Sequence, residues 1–173
     1  MEQFFGQVFV FQDSDFITMA RVALAFILGG IVGYERERVQ RPAGLRTHML
    51  VCAGSACFTV ASIFGFDELG TVRDPARLAA QIITGIGFLG AGTIFRTGST
   101  VRGLTTASSI WITAAIGIVA GLGLVLLAVF TTLLTWIALF MLKGFEPRRA
   151  KAIRMAGEPS LLATGQKEEE EED

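Results

Sequence analysis

The sequence predicts an all-α polytopic membrane protein with five transmembrane helices, the N-terminus outside and the C-terminus inside. Three observations carry that reading. Just over half of the 173 residues (51%) are hydrophobic, and the mean hydropathy is +0.54. Several apolar runs approach the roughly 20 residues a helix needs to cross a bilayer. Most of the 15 lysines and arginines are confined to three short segments, 33–48, 96–102 and 143–154. With five crossings all three segments fall on one side, as the cytoplasmic bias of basic residues requires.

The segment Gly33–His48 (GYERERVQRPAGLRTH) organises the chain. Charged side chains are expensive in hydrocarbon, so a dense charged block between apolar runs belongs at a membrane surface or around a protected polar cavity. Pro42 and Gly44 break any helix there, which predicts a turn between two membrane helices. Four arginines (Arg36, Arg38, Arg41, Arg46) against two glutamates (Glu35, Glu37) place that turn in the cytoplasm.

Residues 1–12 are rich in phenylalanine but too short to span; they read as an external interfacial segment or a frayed terminus. No basic n-region opens the chain, so no cleavable signal is expected and the first helix would act as the insertion signal. Asp13, Ser14 and Asp15 are good N-caps for a first helix over about 16–34. Arg21 would snorkel to the outer interface. Gly29 and Gly33 make a small-xxx-small pair for close helix approach. A second helix follows over about 45–64, with Thr47 and His48 near its start; a lone histidine there reads as an interfacial hydrogen-bonder rather than a ligand. Cys52 and Cys57 read as two small buried hydrophobes, since a separation of five on one helix does not suit a disulfide.

The loop 65–75 carries three acids and one arginine and fits the external side. Asp74-Pro75 would start a third helix over about 75–95. Its second half holds Gly85, Gly87, Gly90 and Gly92, which points to very close packing or to a locally unwound stretch lining a polar site. Gln81 and Thr84 would join either arrangement. A second basic turn, 96–103, leads to a fourth helix over about 104–120, opened by Thr105, Thr106, Ser108 and Ser109, with Gly117 and Gly121 again at close-packing spacing. A tight turn at 121–123 leads to the fifth and most apolar helix, about 124–142. A basic then acidic tail, 143–173, follows and is expected to be solvated.

Three stretches carry a resemblance to a known family: YERERVQRPAGLRTHMLVCAGSA, DPARLAAQIITGIGFLGAGTIFR and VRGLTTASSIWITAAIGIVAGLG. In order and spacing they resemble the MgtC/SapB family of bacterial inner-membrane proteins, over about residues 20–142. The resemblance implies a five-helix membrane domain and a place in magnesium homeostasis, with survival of some pathogens at low magnesium. For some members it also implies inhibition of the membrane ATP synthase. Many members carry a soluble ACT-like domain after the last helix, where this sequence has about 30 mostly polar residues.

The residues themselves leave three functional readings open. The first is a non-enzymatic factor acting through other membrane proteins, because no Walker motif, HExxH or nucleophile set is present. The second is a transporter or channel for a cation such as magnesium, which wants hard oxygen ligands. Near the membrane only Glu35, Glu37 and Asp74 supply carboxylates, and Glu35 and Glu37 diverge on a helix. The third is an anion or lipid-headgroup site formed by Arg36, Arg38, Arg41, Arg46, Arg96 and Arg102. The spacing of small residues predicts a homodimer, no nucleic-acid partner is expected, and no cofactor is implied beyond magnesium. Glu35 and Arg46, on either side of the Pro42–Gly44 break, are expected to pair.

Overall fold

The computed structural model describes residues 13–64, 75–98 and 100–141. Five helices occur among them: α1 (Asp13–Arg38), α2 (Leu45–Phe64), α3 (Pro75–Ala91), α4 (Leu104–Gly121) and α5 (Val125–Met141). A two-stranded antiparallel hairpin, β1 (Phe95–Thr97) and β2 (Thr100–Arg102), lies between α3 and α4. The helices α1, α2 and α4 are long and apolar enough to cross a membrane, while α5 and the apolar part of α3 are shorter. The loop 65–74, the N-terminal residues 1–12 and the tail after Met141, with the expectations attached to them, lie outside the described residues; so does Asp74.

The helix boundaries have local causes. The first helix does not stop at Tyr34 but continues through Glu35, Arg36, Glu37 and Arg38. The charged block is therefore half helix and half turn. What ends α1 is a Schellman closure rather than Pro42: Gln40 takes a left-handed φ of 52°. Its N–H donates to the Glu37 carbonyl at 2.9 Å, and the Arg41 N–H donates to the Arg36 carbonyl at 3.1 Å. Pro42 then bars continuation. The turn between α4 and α5 uses the same closure with Gly123 at φ 82°. The third helix is continuous to Ala91 and ends there, four residues earlier than its hydrophobicity suggests, because Ile94 and Phe95 lead into the hairpin. The unwound alternative for the glycine-rich half therefore does not hold within α3.

The centre of the bundle is α2, which packs against α1, α4 and α3. Small residues set the distances. A methyl group on Gly29 would lie 2.6 Å from the His48 carbonyl oxygen, and one on Gly33 2.8 Å from the Leu45 Cα. Thus α1 lies directly on the backbone of α2. Gly117 and Gly121 do the same from α4, against Cys52 and Ala56 of α2. The two small-residue pairs are consumed inside the protomer. Ala25, Leu28, Val32, Cys52, Ala56, Ile116, Ala120 and Ala128 form the main core. Of α5 only Ala128, Thr132 and Thr135 are buried, in keeping with its expected lipid-exposed character.

Polar side chains inside this core are satisfied locally. The hydroxyls of Thr59, Thr113, Thr132 and Thr135 each donate to the carbonyl four residues earlier. In an environment without water such back-bonding removes the penalty of an unpaired hydroxyl. Both cysteines are free and Cys52 is buried, as expected, but Cys57 is exposed, because its side of α2 faces away from α1 and α4.

Candidate functional site

Two tie points fix which loops share an end of the bundle. At one end the Arg21 Nη1 donates to the Gly121 carbonyl at 3.3 Å, and its guanidinium lies 6.0 Å from the Phe64 ring. Instead of snorkelling outward, Arg21 joins α1, α2 and the α4–α5 turn. At the other end His48, near the start of α2, meets Ser109, near the start of α4. The turn 39–44 and the hairpin therefore lie at the same end, and so does the end of α5, where Leu139 contacts Arg36.

That end is built around a buried ion pair. Glu35 is 5% exposed and Arg36 2% exposed. The Arg36 guanidinium pairs with Glu35 Oε2 through both Nε and Nη2. Its Nη2 also donates to the Leu139 carbonyl at 3.3 Å, tying α1 to the last turn of α5. The Glu35–Arg46 pair does not form. Arg46 is exposed, and no ion pair to it occurs among the described residues. The reason is the extra helical turn of α1: it brings Arg36 within reach of Glu35 inside the bundle, while Arg46 sits on the outer side of α2. The other Glu35 oxygen, Oε1, is buried without a hydrogen-bond partner among the described residues, and so is the Nε of Arg41.

Glu37 points the other way and has its own task. Its Oε2 accepts the backbone N–H of Leu45 at 2.7 Å. The carboxylate thus caps the first turn of α2, where free amides and the helix dipole favour a negative charge. Gly44 lies directly beneath it: a Cβ there would meet the Glu37 side chain and no backbone atom, so the carboxylate would have to move aside.

His48 is completely buried. Its Nδ1 lies 2.9 Å from the Gly44 carbonyl and its Nε2 3.1 Å from Ser109 Oγ. A carbonyl cannot donate, so Nδ1 carries a hydrogen. In the neutral ring Nε2 then accepts the Ser109 hydroxyl. Ser109 Oγ is also 2.8 Å from the Thr106 carbonyl. If the hydroxyl turns there, Nε2 must itself donate, which requires a doubly protonated ring. The histidine is thus a hydrogen-bonder, as expected, but in the core rather than at the interface. Ser109 is its missed partner; the signal was a single histidine one turn into an apolar helix, which must find a polar neighbour.

The remaining candidates do not converge on one point. Arg38, Arg46, Thr47, Arg96, Arg102 and Thr105 are all exposed at the same end, with Arg41 half-buried. Gln81 is exposed on α3 and lines a shallow apolar groove with Leu50, Gly54, Phe58 and Gly85. A Cβ at Gly54, Gly85 or Gly87 would meet nothing within 4 Å, whereas one at Gly90 would touch Ala107 at 3.6 Å. Close packing therefore accounts for Gly90 but not for Gly85 or Gly87. Gly92 lies just past the end of α3.

The sequence profile of the MgtC family matches residues 22–148. The chain is 45% identical over 123 residues to YhiD of Escherichia coli K12, whose name describes it as a candidate magnesium transporter; the match covers 69% of this chain and 57% of that protein. It is 50% identical over 109 residues to the protein MgtC of Brucella abortus, covering 62% of this chain and 44% of the relative. With MgtC of Salmonella typhimurium it shares 50% over 99 residues, 57% of this chain and 41% of the relative. The chain thus spans about half the length of the curated relatives it matches. No solved structure matches it. The matched region contains α1 from Val22 onward, the other four helices and the buried ion pair, and the chain belongs to the MgtC family.

Proposed function

We propose that this protein serves magnesium homeostasis and adaptation to low magnesium in the bacterial inner membrane, acting without catalysis through other membrane proteins. In this reading all five helices cross, with the N-terminus outside and the basic end of the bundle in the cytoplasm. The observation that carries it is how the polar groups at that end are used. Arg36 is engaged by Glu35 and Leu139, Glu37 by the start of α2, and His48 by Gly44 and Ser109. These bonds lock α1, α2, α4 and α5 together, so the bundle offers partners a fixed surface. The name of the Escherichia coli relative, a candidate magnesium transporter, supports the choice of ion.

One observation favours a second reading, a direct cation pathway: Glu35 Oε1 is buried with no partner among the described residues, and such an oxygen is a hard ligand. The test is magnesium uptake into proteoliposomes holding the purified chain. No flux above empty vesicles is expected; flux that disappears with Glu35→Gln would establish the second reading instead.

A dimer belongs to the same proposal. With Gly29, Gly33, Gly117 and Gly121 used inside the protomer, the small residues left for close approach of a second copy are those of α3. There Gly85 and Gly87 stand in open space beside Phe88, which is 81% exposed. Gln81 lies on the same helix and supplies a carboxamide able to bond across the interface.

A further inference from the structure

The hairpin β1–β2 contributes no residue to the Glu35–Arg36, Glu37–Leu45 or His48–Ser109 contacts. All six of its strand residues are exposed. In its register Phe95 faces Arg102, Arg96 faces Val101, and Thr97 faces Thr100. Paired residues project on the same side of a ribbon, so each face carries one arginine beside one large apolar side chain. Ile94 and Leu104, which flank the ribbon at its base, are exposed as well. A two-stranded ribbon is marginal in water on its own, and this one covers nothing. Its backbone exit is nevertheless tightly set: Gly103, between β2 and α4, has φ 93°, and any Cβ there would collide with the Thr93 carbonyl.

The charge around it is unbalanced. Six arginines lie at this end of the bundle: Arg36, Arg38, Arg41, Arg46, Arg96 and Arg102. Among the described residues Glu35 and Glu37 are the carboxylates there. Glu35 is taken by Arg36 and Glu37 by the Leu45 amide. The other five arginines have no carboxylate partner among the described residues, and the Nε of Arg41 is buried unbonded. Among the described residues Arg96 bonds only the Gly98 carbonyl, at 3.0 Å through Nε, and the end of its guanidinium bonds none of them.

We propose that the hairpin is a lipid-engaging element that sits in the headgroup layer and binds anionic phospholipid. Arg96 and Arg102 take the phosphates, while Phe95 and Val101 enter the acyl boundary. The pairing of a cation with an apolar side chain on each face selects this occupant. A free phosphate in water would satisfy the arginines but leave Phe95, 61% exposed, and Val101, 48% exposed, in water. Arg38, Arg41 and Arg46 extend the same basic layer and add charge attraction.

The test measures the melting temperature of the purified full chain in micelles doped with phosphatidylglycerol or, at the same mole fraction, phosphatidylcholine. Phosphatidylglycerol is expected to raise the melting temperature by roughly 5 °C or more relative to phosphatidylcholine, as a ligand bound well above its dissociation constant does. The double variant R96Q/R102Q should lose at least half of that shift. R96K/R102K should keep most of it, as should R77Q, which removes an exposed arginine at the start of α3, the opposite end of the bundle. Equal shifts with the two lipids would overturn the proposal. So would full protection by inorganic phosphate at matched ionic strength, which identifies a free-anion site, or an equal loss in R77Q. If R96Q/R102Q does not fold, sodium chloride titration of the unmodified chain decides. The phosphatidylglycerol shift must shrink as salt rises, and a salt-independent shift would refute the arginine contact.

Discussion

At the residue scale the controlling feature is the Glu35–Arg36 pair. Breaking a buried pair leaves the survivor uncompensated and costs roughly 3–5 kcal/mol. Glu35→Ala and Arg36→Ala are therefore expected to destabilise the chain by about that much in detergent unfolding. Arg46→Ala, on an exposed side chain, should fall within about 0.5 kcal/mol. Arg36→Ala also frees α5 from α1 by removing the bond to the Leu139 carbonyl, so its effect should be at least as large as that of Glu35→Ala. Glu37→Ala removes a carboxylate cap and is expected to cost about 1 kcal/mol, within the range of helix N-caps. Ser109→Ala strips the His48 Nε2 of its partner in a dry core, at a cost of roughly 1–3 kcal/mol. Ser109→Thr, which keeps the hydroxyl, should recover part of that loss. Equal losses for Arg46→Ala and Arg36→Ala would refute the assigned pairing.

At the element scale the contrast lies among the glycines. Gly29→Ala and Gly117→Ala place a methyl group against the backbone of α2, and helices cannot yield there without losing the core. Both are expected to unfold or grossly destabilise the bundle. Gly85→Ala meets open space and should stabilise α3 by up to about 1 kcal/mol, the difference in helix propensity. Circular-dichroism melts of the three variants check the ordering. The same residues show how far the sequence could be read. Helices α2, α4 and α5 were legible to within a residue or two, because apolar runs bounded by glycine and proline leave little choice. The end of α1 was not, because a glutamine in left-handed conformation closes it and glutamine carries no such signal. The hairpin was hidden because six residues with mixed apolar and basic character look like any turn. The candidate site was legible as a place but not as a set of bonds. Glu35, Glu37 and His48 were visible as polar groups near the inner end. Their partners depended on one further helical turn of α1 and on contacts to Leu139 and Ser109, many residues away in sequence.

At the scale of the whole molecule the proposal is a membrane unit locked at its basic end and free on the face of α3. A dimer mass in native mass spectrometry, reduced to monomer by Gly87→Phe, is expected if that face receives a second copy; a monomer from mild detergent would contradict it. The proposed orientation predicts that cysteines placed at Thr71 and Gln166 label from opposite sides of the membrane. The central claim is that the locked ion pair, rather than the exposed arginines near it, underlies the protein's part in growth at low magnesium. Growth rescue of a null strain at limiting magnesium, with membrane abundance measured in parallel, tests this most directly. Glu35→Gln, which keeps the shape of the side chain but removes its charge, should fail to rescue while still reaching the membrane, and Arg46→Gln should rescue as the unmodified protein does. Full rescue by Glu35→Gln at normal abundance would contradict the account.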